Sequence, residues 1–410
     1  MTSPRPRHWT RLLVDPVFGP VFFGKLLTTT GQWILNVSNA IVTYSLTGDA
    51  FLVGLVSVAQ FTPQLLLAPL SGRLADQGNP VRQIIAGRVI TALGGFGTAL
   101  SIWAVGGAEN LPGAWVLIVT AFVVGLGTVL GGPAMQSIVP TLVRPNEIGA
   151  AVTLNSTPMT IARAVGPAAA AAIIVGAGPG AAFVTGAVTN LVLAGILLIV
   201  RIPARPRRVG TDFSIRAGLA YVVRDRPIRL LMVCTAAAAL AAEPALTLAP
   251  ALADQLQASP GYVGLIASSF GIGCGVGIAL TGLLRRAVGS AVIATSGLLA
   301  TAAALTAAAF ATSQVLTLVV FGVCGAGMTC AFTSASVMIQ QRVLPELRGR
   351  VMATWSMAFL GTRPISAALN GSVAEIVSVR AALIVTAGLI VAAAIASRPA
   401  ATDPPSTTTH

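Results

Sequence analysis

Charge is what this chain has least of. Only 9% of its 410 residues are charged, against roughly 25% in an ordinary soluble domain, and that excludes a water-soluble enzyme. Histidine is confined to His8 and His410, so neither histidine-centred catalysis nor a histidine metal site is on offer. Lys25 is the sole lysine, which removes P-loop and Schiff-base chemistry. Cys234, Cys274, Cys324 and Cys330 lie in apolar stretches without a CxxC spacing; they read as small core residues, not as a disulfide framework or zinc site. What is present in quantity is apolar sequence: 55% hydrophobic residues and 43 glycines, with a mean hydropathy of +0.85. It is spread over the whole length, so the chain reads as a multi-span membrane protein and not as a domain on one anchor.

With about 20 apolar residues per helical crossing, twelve transmembrane helices are expected, near 17–46, 51–72, 83–106, 114–139, 148–176, 178–200, 228–256, 260–284, 288–311, 315–340, 348–376 and 379–397. The first apolar segment is long, polar-studded and without an early small-residue cleavage site, so it reads as a span and not as a cleaved signal peptide. Of the 25 bases, 21 fall on one set of loops and Arg380 on the other. By the positive-inside rule both termini and the central loop are expected in the cytoplasm of a cell inner (plasma) membrane. The net charge of +13 is then a topogenic signal, and no nucleic-acid partner is implied.

The chain repeats itself. Val53-Gly54-Leu55 recurs as Val263-Gly264-Leu265 and Gly72 as Gly282, an offset of 210; further along Pro145, Gly149 and Arg163 match Pro345, Gly349 and Arg363, an offset of 200. An ordered series of this kind points to a duplicated six-helix bundle. The expected organisation is a cytoplasmic segment 1–16, a bundle 17–200, a linker 201–227, a second bundle 228–397 and a disordered tail 398–410. Within the linker, Ser214 can cap a helix that gathers Ile215, Leu219, Val222 and Val223 on one face, suited to the inner leaflet.

Several stretches carry a family resemblance: Leu46-Thr47-Gly48; Gly54-Leu55 through Gly72-Arg73-Leu74-Ala75-Asp76; Arg163-Ala164-Val165-Gly166-Pro167; and Leu347-Arg348-Gly349-Arg350-Val351-Met352. In these the chain resembles the major facilitator superfamily, within it the bacterial exporters that include enterobactin exporters and macrolide efflux pumps. The resemblance covers nearly the whole chain. It implies a secondary transporter working by alternating access, with a substrate cavity between two six-helix halves and usually a proton as counter-ion. No cofactor is implied beyond the proton gradient. The chain departs from the pattern in four places, the first being span five, where the small-residue series Ala162, Gly166, Pro167, Ala170 and Ala171 takes places in which the antiporter-type signature more often has glycines. Gln77 to Val81 intervene before Arg82, Gln32 stands where the subgroup often has an acid, and span four has no arginine. The resemblance also implies a gating contact of Asp76 with Arg348 and Arg350, made when the halves close on the cytoplasmic side.

An ionisable group in mid-membrane usually has a partner or a task. Arg163, Glu243 and Arg363 each lie fifteen residues into their expected helices, roughly 22 Å deep, so a pair among them is possible. A desolvated carboxyl beside Pro244 is a candidate proton carrier whose charge an arginine could set by moving. A permanent structural pair and direct binding of a cationic substrate are the other readings of Glu243. For Arg163 and Arg363, anchoring competes with contact to an anionic substrate. In span one Thr28, Gln32, Asn36, Asn39 and Thr43 form a polar stripe, which in hydrocarbon must face protein or water. It is read as hydrogen bonding to substrate, against helix–helix bonding. Gln60 and Gln64, then Thr329, Thr333 and Gln340, are weaker candidates of the same kind; Trp33 and Trp355 are stacking or packing residues. The resulting expectation is a monomeric, proton-coupled exporter or antiporter of a small amphipathic molecule such as a drug, siderophore or other metabolite. An importer of the same fold and a non-transporting receptor or scaffold are its rivals.

Overall fold

The computed structural model describes residues 9–202 and 215–402. They form helices α1 (Trp9–Leu13), α2 (Phe18–Thr47), α3 (Ala50–Gln77), α4 (Pro80–Ala104), α5 (Trp115–Ile138), α6 (Ile148–Ile199), α7 (Ile215–Arg224), α8 (Arg226–Ala242), α9 (Pro244–Thr247), α10 (Ala249–Gln255), α11 (Tyr262–Val288), α12 (Ser290–Ala309), α13 (Gln314–Arg342), α14 (Pro345–Ile376), α15 (Val379–Ala396) and α16 (Pro399–Thr402). Among the described residues nine of these segments are long and apolar enough to cross a membrane. One of them, α6, holds two crossings, because Gly178 (φ 83°, ψ 167°) breaks it beside Pro179. Two further helices, α2 and α14, have the length, 30 and 32 residues, but carry more polar positions. The twelve expected spans are thereby accounted for, in an all-α fold.

Acids are spent on helix starts, where carboxylates meet unpaired N–H groups and the positive end of the helix dipole. Asp49 accepts from the N–H groups of Phe51 (2.6 Å) and Leu52 (3.3 Å) and so opens α3. Gly48, at φ 65°, closes α2 one residue earlier. The departure at Gln77–Val81 is a tight turn of the same kind: Gly78 ends α3, Asn79 accepts from Arg82 N–H (3.1 Å) and Pro80 begins α4. Asp225 caps α8 through Ile228 N–H (3.0 Å).

The chain divides into two compact units, Met1–Thr211 with Ala258–Ser268, and Asp212–Gln257 with Ser269–His410. In lipid, apolar burial is a weak driver of helix association, and close approach at small residues takes over. In the first unit α4 and α5 cross where a Cβ on Gly127 would strike Gly87 O, Thr91 N and Thr91 Oγ1. In the second unit α12 and α13 cross where a Cβ on Gly327 would strike Gly297 O, Thr301 N and Thr301 Oγ1. Likewise Gly125 meets Gln60 O, and Gly325 meets Phe270 O. The same atoms meet under offsets of 210 for the earlier helix of each pair and 200 for the later one, so the repeat read in sequence is a repeat of helix crossings.

The span expected over 228–256 is broken into α8, α9 and α10. Pro244 and Pro250 remove backbone N–H donors there, and the helix is reset at Glu243 and Leu248. The linker helix exists as α7, packed against α8 and α14; Val222 is buried while Leu219 and Val223 are exposed. Ser214 and most of the tail, 403–410, lie outside the described residues.

Candidate functional site

The second unit holds an ion pair inside its helices. Glu243 sits at the α8–α9 break with no exposed surface, and its Oε1 accepts from Arg363 Nε of α14 at 2.5 Å. The second oxygen, Oε2, is buried with no hydrogen-bond partner. One turn earlier, Pro244 leaves the Leu240 carbonyl without its helical donor, and Ser366 Oγ of α14 supplies one at 3.1 Å. The line continues inward: Asn370 Nδ2 donates to Ser366 Oγ (3.2 Å) and Thr386 Oγ1 of α15 donates to Asn370 Oδ1 (2.8 Å). Three helices are thus held by buried polar contacts around a proline break. Such contacts are worth most where water is excluded.

In the first unit the polar stripe of α2 divides. Thr28, Asn39 and Thr43 are buried; Thr28 Oγ1 donates to Thr189 O (2.9 Å) and Asn39 Nδ2 to Leu117 O (3.3 Å), which is helix–helix bonding. Gln32 and Asn36 are half-buried and form a network with two other helices. Asn36 Oδ1 accepts from Gln32 Nε2 and from Gln60 Nε2 of α3, each at 3.0 Å, and Thr128 Oγ1 of α5 donates to Gln32 Oε1 at 3.4 Å. Gln64 is half-buried one turn beyond Gln60.

Arg163, on the first arm of α6, lies with its guanidinium carbon 5.6 Å from the centre of the Trp33 ring. Gly166 makes the approach possible, since a Cβ there would meet Trp33 Cβ at 2.5 Å. Offsets of 210 and 200 carry Trp33 to Glu243 and Arg163 to Arg363. The two deep arginines are therefore repeat equivalents with different partners, an indole in one unit and a carboxylate in the other.

Of the remaining candidates, Trp355 packs at a tilt against Phe332 (4.6 Å between ring centres), which also meets Phe359 (4.5 Å), so it joins α14 to α13. Thr329 is buried and Thr333 half-buried; Gln340 is exposed and donates to Ser336. Arg348 is exposed and Arg350 half-buried on the opening turns of α14. Asp76 is the penultimate residue of α3 in the other unit, with its side chain outside the described residues.

Sequence reasoning missed two cations. Arg88, counted with the loop bases, is only 9% exposed inside α4, where its Nη1 donates to Asn190 Oδ1 at 3.3 Å. A Cβ on Gly131 would lie 2.9 Å from its Nη2, so the glycine is what makes room for it. Lys25 Nζ donates to Asn155 O (2.7 Å) and Asn155 Oδ1 (2.6 Å), and Asn155 Nδ2 to Gln136 Oε1 (2.7 Å). The available signal was spacing: Lys25 lies seven residues before Gln32, on the same helix face. Among the described residues no cluster of potential metal ligands exists.

The family model for transmembrane secretion effectors, within the major facilitator superfamily, matches residues 9–404. The chain belongs to that family. It is 23% identical to macrolide efflux protein A of Streptococcus pyogenes over 395 residues, 92% of this chain and 94% of that protein. It is 25% identical to macrolide efflux protein A of Enterococcus faecalis over 318 residues, 75% and 95% of the two chains. Among solved structures it is similar to a bacterial homologue of the human lysosomal transporter Spinster (TM-score 0.76, 14% identity, 93% and 96% covered). A bacterial homologue of the iron transporter ferroportin is similar too (TM-score 0.75, 16% identity, 95% and 98% covered). The chain is accordingly a multi-pass membrane transporter of small molecules and not an enzyme.

Proposed function

We propose that this transporter is a proton-coupled exporter of a small amphipathic molecule in the plasma membrane, working by alternating access with both termini in the cytoplasm. The observation that carries the reading is Glu243: a buried carboxylate with one oxygen on a single arginine and the other without a partner, at a proline break in a membrane helix. A group so placed can take and release a proton as Arg363 approaches and withdraws, and the break at Pro244 gives α8 a place to move. The direction is supported by the similarity to macrolide efflux proteins, and the bias of bases toward one set of loops supports the orientation.

The test is substrate-dependent proton flux in reconstituted vesicles, with Glu243→Gln alongside the native chain. The amide keeps shape and one hydrogen bond to Arg363 but cannot release a proton. The variant is expected to insert and bind, with some loss of stability because Arg363 loses its counter-charge, and to lose its dependence on a pH gradient. Native dependence in the variant would remove Glu243 from coupling.

A further inference from the structure

The charges deep within the first unit's helices differ in sign from the buried acid of the second. Between residues 17 and 200 the only acids are Asp49, Asp76, Glu109 and Glu147, and each stands at or within a residue of a helix end, or in the turn between α4 and α5. None lies deep inside a span; Glu147 is buried, but at the very start of α6. The same stretch carries Lys25, Arg88 and Arg163 within its helices. Lys25 is bonded by amide oxygens of Asn155, and Arg88 by the amide oxygen of Asn190. An amide orients a cation without neutralising it. Arg88 Nε is buried with no hydrogen-bond partner, and Arg88 lies close enough for its charge to act on Lys25.

The lysine is also not fully enclosed. Lys25, Gln32, Trp33, Asn36, Asn155 and Arg163 are all half-buried, and Gln136 is exposed. Both Lys25–Asn155 and Trp33–Arg163 pair α2 with the first arm of α6 at a separation of 130 residues, so the two helices run in register. The second pair lies eight residues beyond the first, about 12 Å along the axis. The face therefore offers an ammonium group in an amide cradle at one level, then an indole ring with neutral amides two turns further on.

We propose that this face selects anionic amphiphiles: a carboxylate, or an acid of similar size, meets Lys25 beside Asn155 and Gln136, and an aromatic or apolar body reaches Trp33. The field of Arg88 adds to that of Lys25 and repels a cationic headgroup. A carboxylate on an ammonium donor is a charge-assisted bond, stronger than the amide contacts it joins. The proposal rests on the transporter reading but not on coupling through Glu243.

The experiment measures equilibrium binding, without any gradient, of two probes of equal length to the full chain in lipid nanodiscs: a naphthyloxy-alkanoate and the corresponding naphthyloxy-alkylamine. The native chain is expected to hold the acid at least tenfold more tightly. Lys25→Gln should reduce acid binding about tenfold and leave the amine unchanged or improved; Lys25→Arg should keep the preference. Asn155→Asp, which retains the lysine and sets a carboxylate beside it, should abolish the preference. Equal or tighter binding of the amine by the native chain overturns the proposal, as does failure to bind either probe, or a preference that survives both Lys25→Gln and Asn155→Asp. Transport of the acid that ignores a pH gradient would remove the coupling role and leave this selectivity standing.

Discussion

Arg363 and Glu243 are more valuable as a pair than either is alone. Removing one member of a buried pair leaves an uncompensated charge and costs about 3–5 kcal/mol, whereas replacing both by apolar groups of similar volume is often neutral. Arg363→Met is therefore expected to lower thermal stability in detergent strongly, and Glu243→Met/Arg363→Met to restore most of it while abolishing gradient dependence. A double variant as unstable as the single one would mean that the arginine is held by something other than the carboxylate. At this scale the sequence was partly legible. Depth counting brought Glu243 and Arg363 to one level, because helical rise is regular. It gave no sign that Arg163 would lie over Trp33, since that depends on Gly166 letting two helices touch. Arg88 was misplaced for a related reason: a base eight residues into a helix counts as loop charge until the glycine that makes room for it, Gly131 on another helix, is seen.

Helices here are specified more by their interruptions than by their runs. The α8–α9 break combines Pro244, which lacks an N–H, with Ser366, which supplies the missing donor to Leu240 O. Ser366→Ala should leave that carbonyl unsatisfied at a cost of about 1–3 kcal/mol. Pro244→Ala restores the helical N–H, so the loss should shrink when Ser366→Ala is made in a Pro244→Ala background. A double-mutant cycle read by thermal unfolding checks this; strictly additive losses would show that the serine does not answer to the proline. The glycine crossings make a paired prediction. Gly127→Ala and Gly327→Ala insert a methyl group against the same three atoms, and overpacking of this kind costs about 1–3 kcal/mol. The two variants should lose stability by similar amounts, although they lie in different units. Span positions were readable from hydropathy alone, because length and apolarity are what a bilayer demands. The divided α8–α10 was not: a twenty-residue average passes over two prolines.

For the molecule as a whole, the repeat is both the most legible feature and the one whose consequence lies deepest. Offsets of 210 and 200, seen first as matching letters, return as matching contacts between α4 and α5 and between α12 and α13, because the glycines that permit a close crossing are the residues least free to change. Where nothing constrains the contact so tightly, the copies have drifted, and Trp33 against Glu243 is the clearest case. In hereditary terms, a gene that was duplicated and fused holds two codons descended from one, and this position now specifies an indole in the first copy and a carboxylate in the second. Selection can act on the first without disturbing the second. An assembly of two identical chains would lack that freedom, since every mutation would appear in both subunits at once. Fusion is thus what lets the position of Trp33, which we propose meets substrate, vary while the acid we assign to coupling is kept.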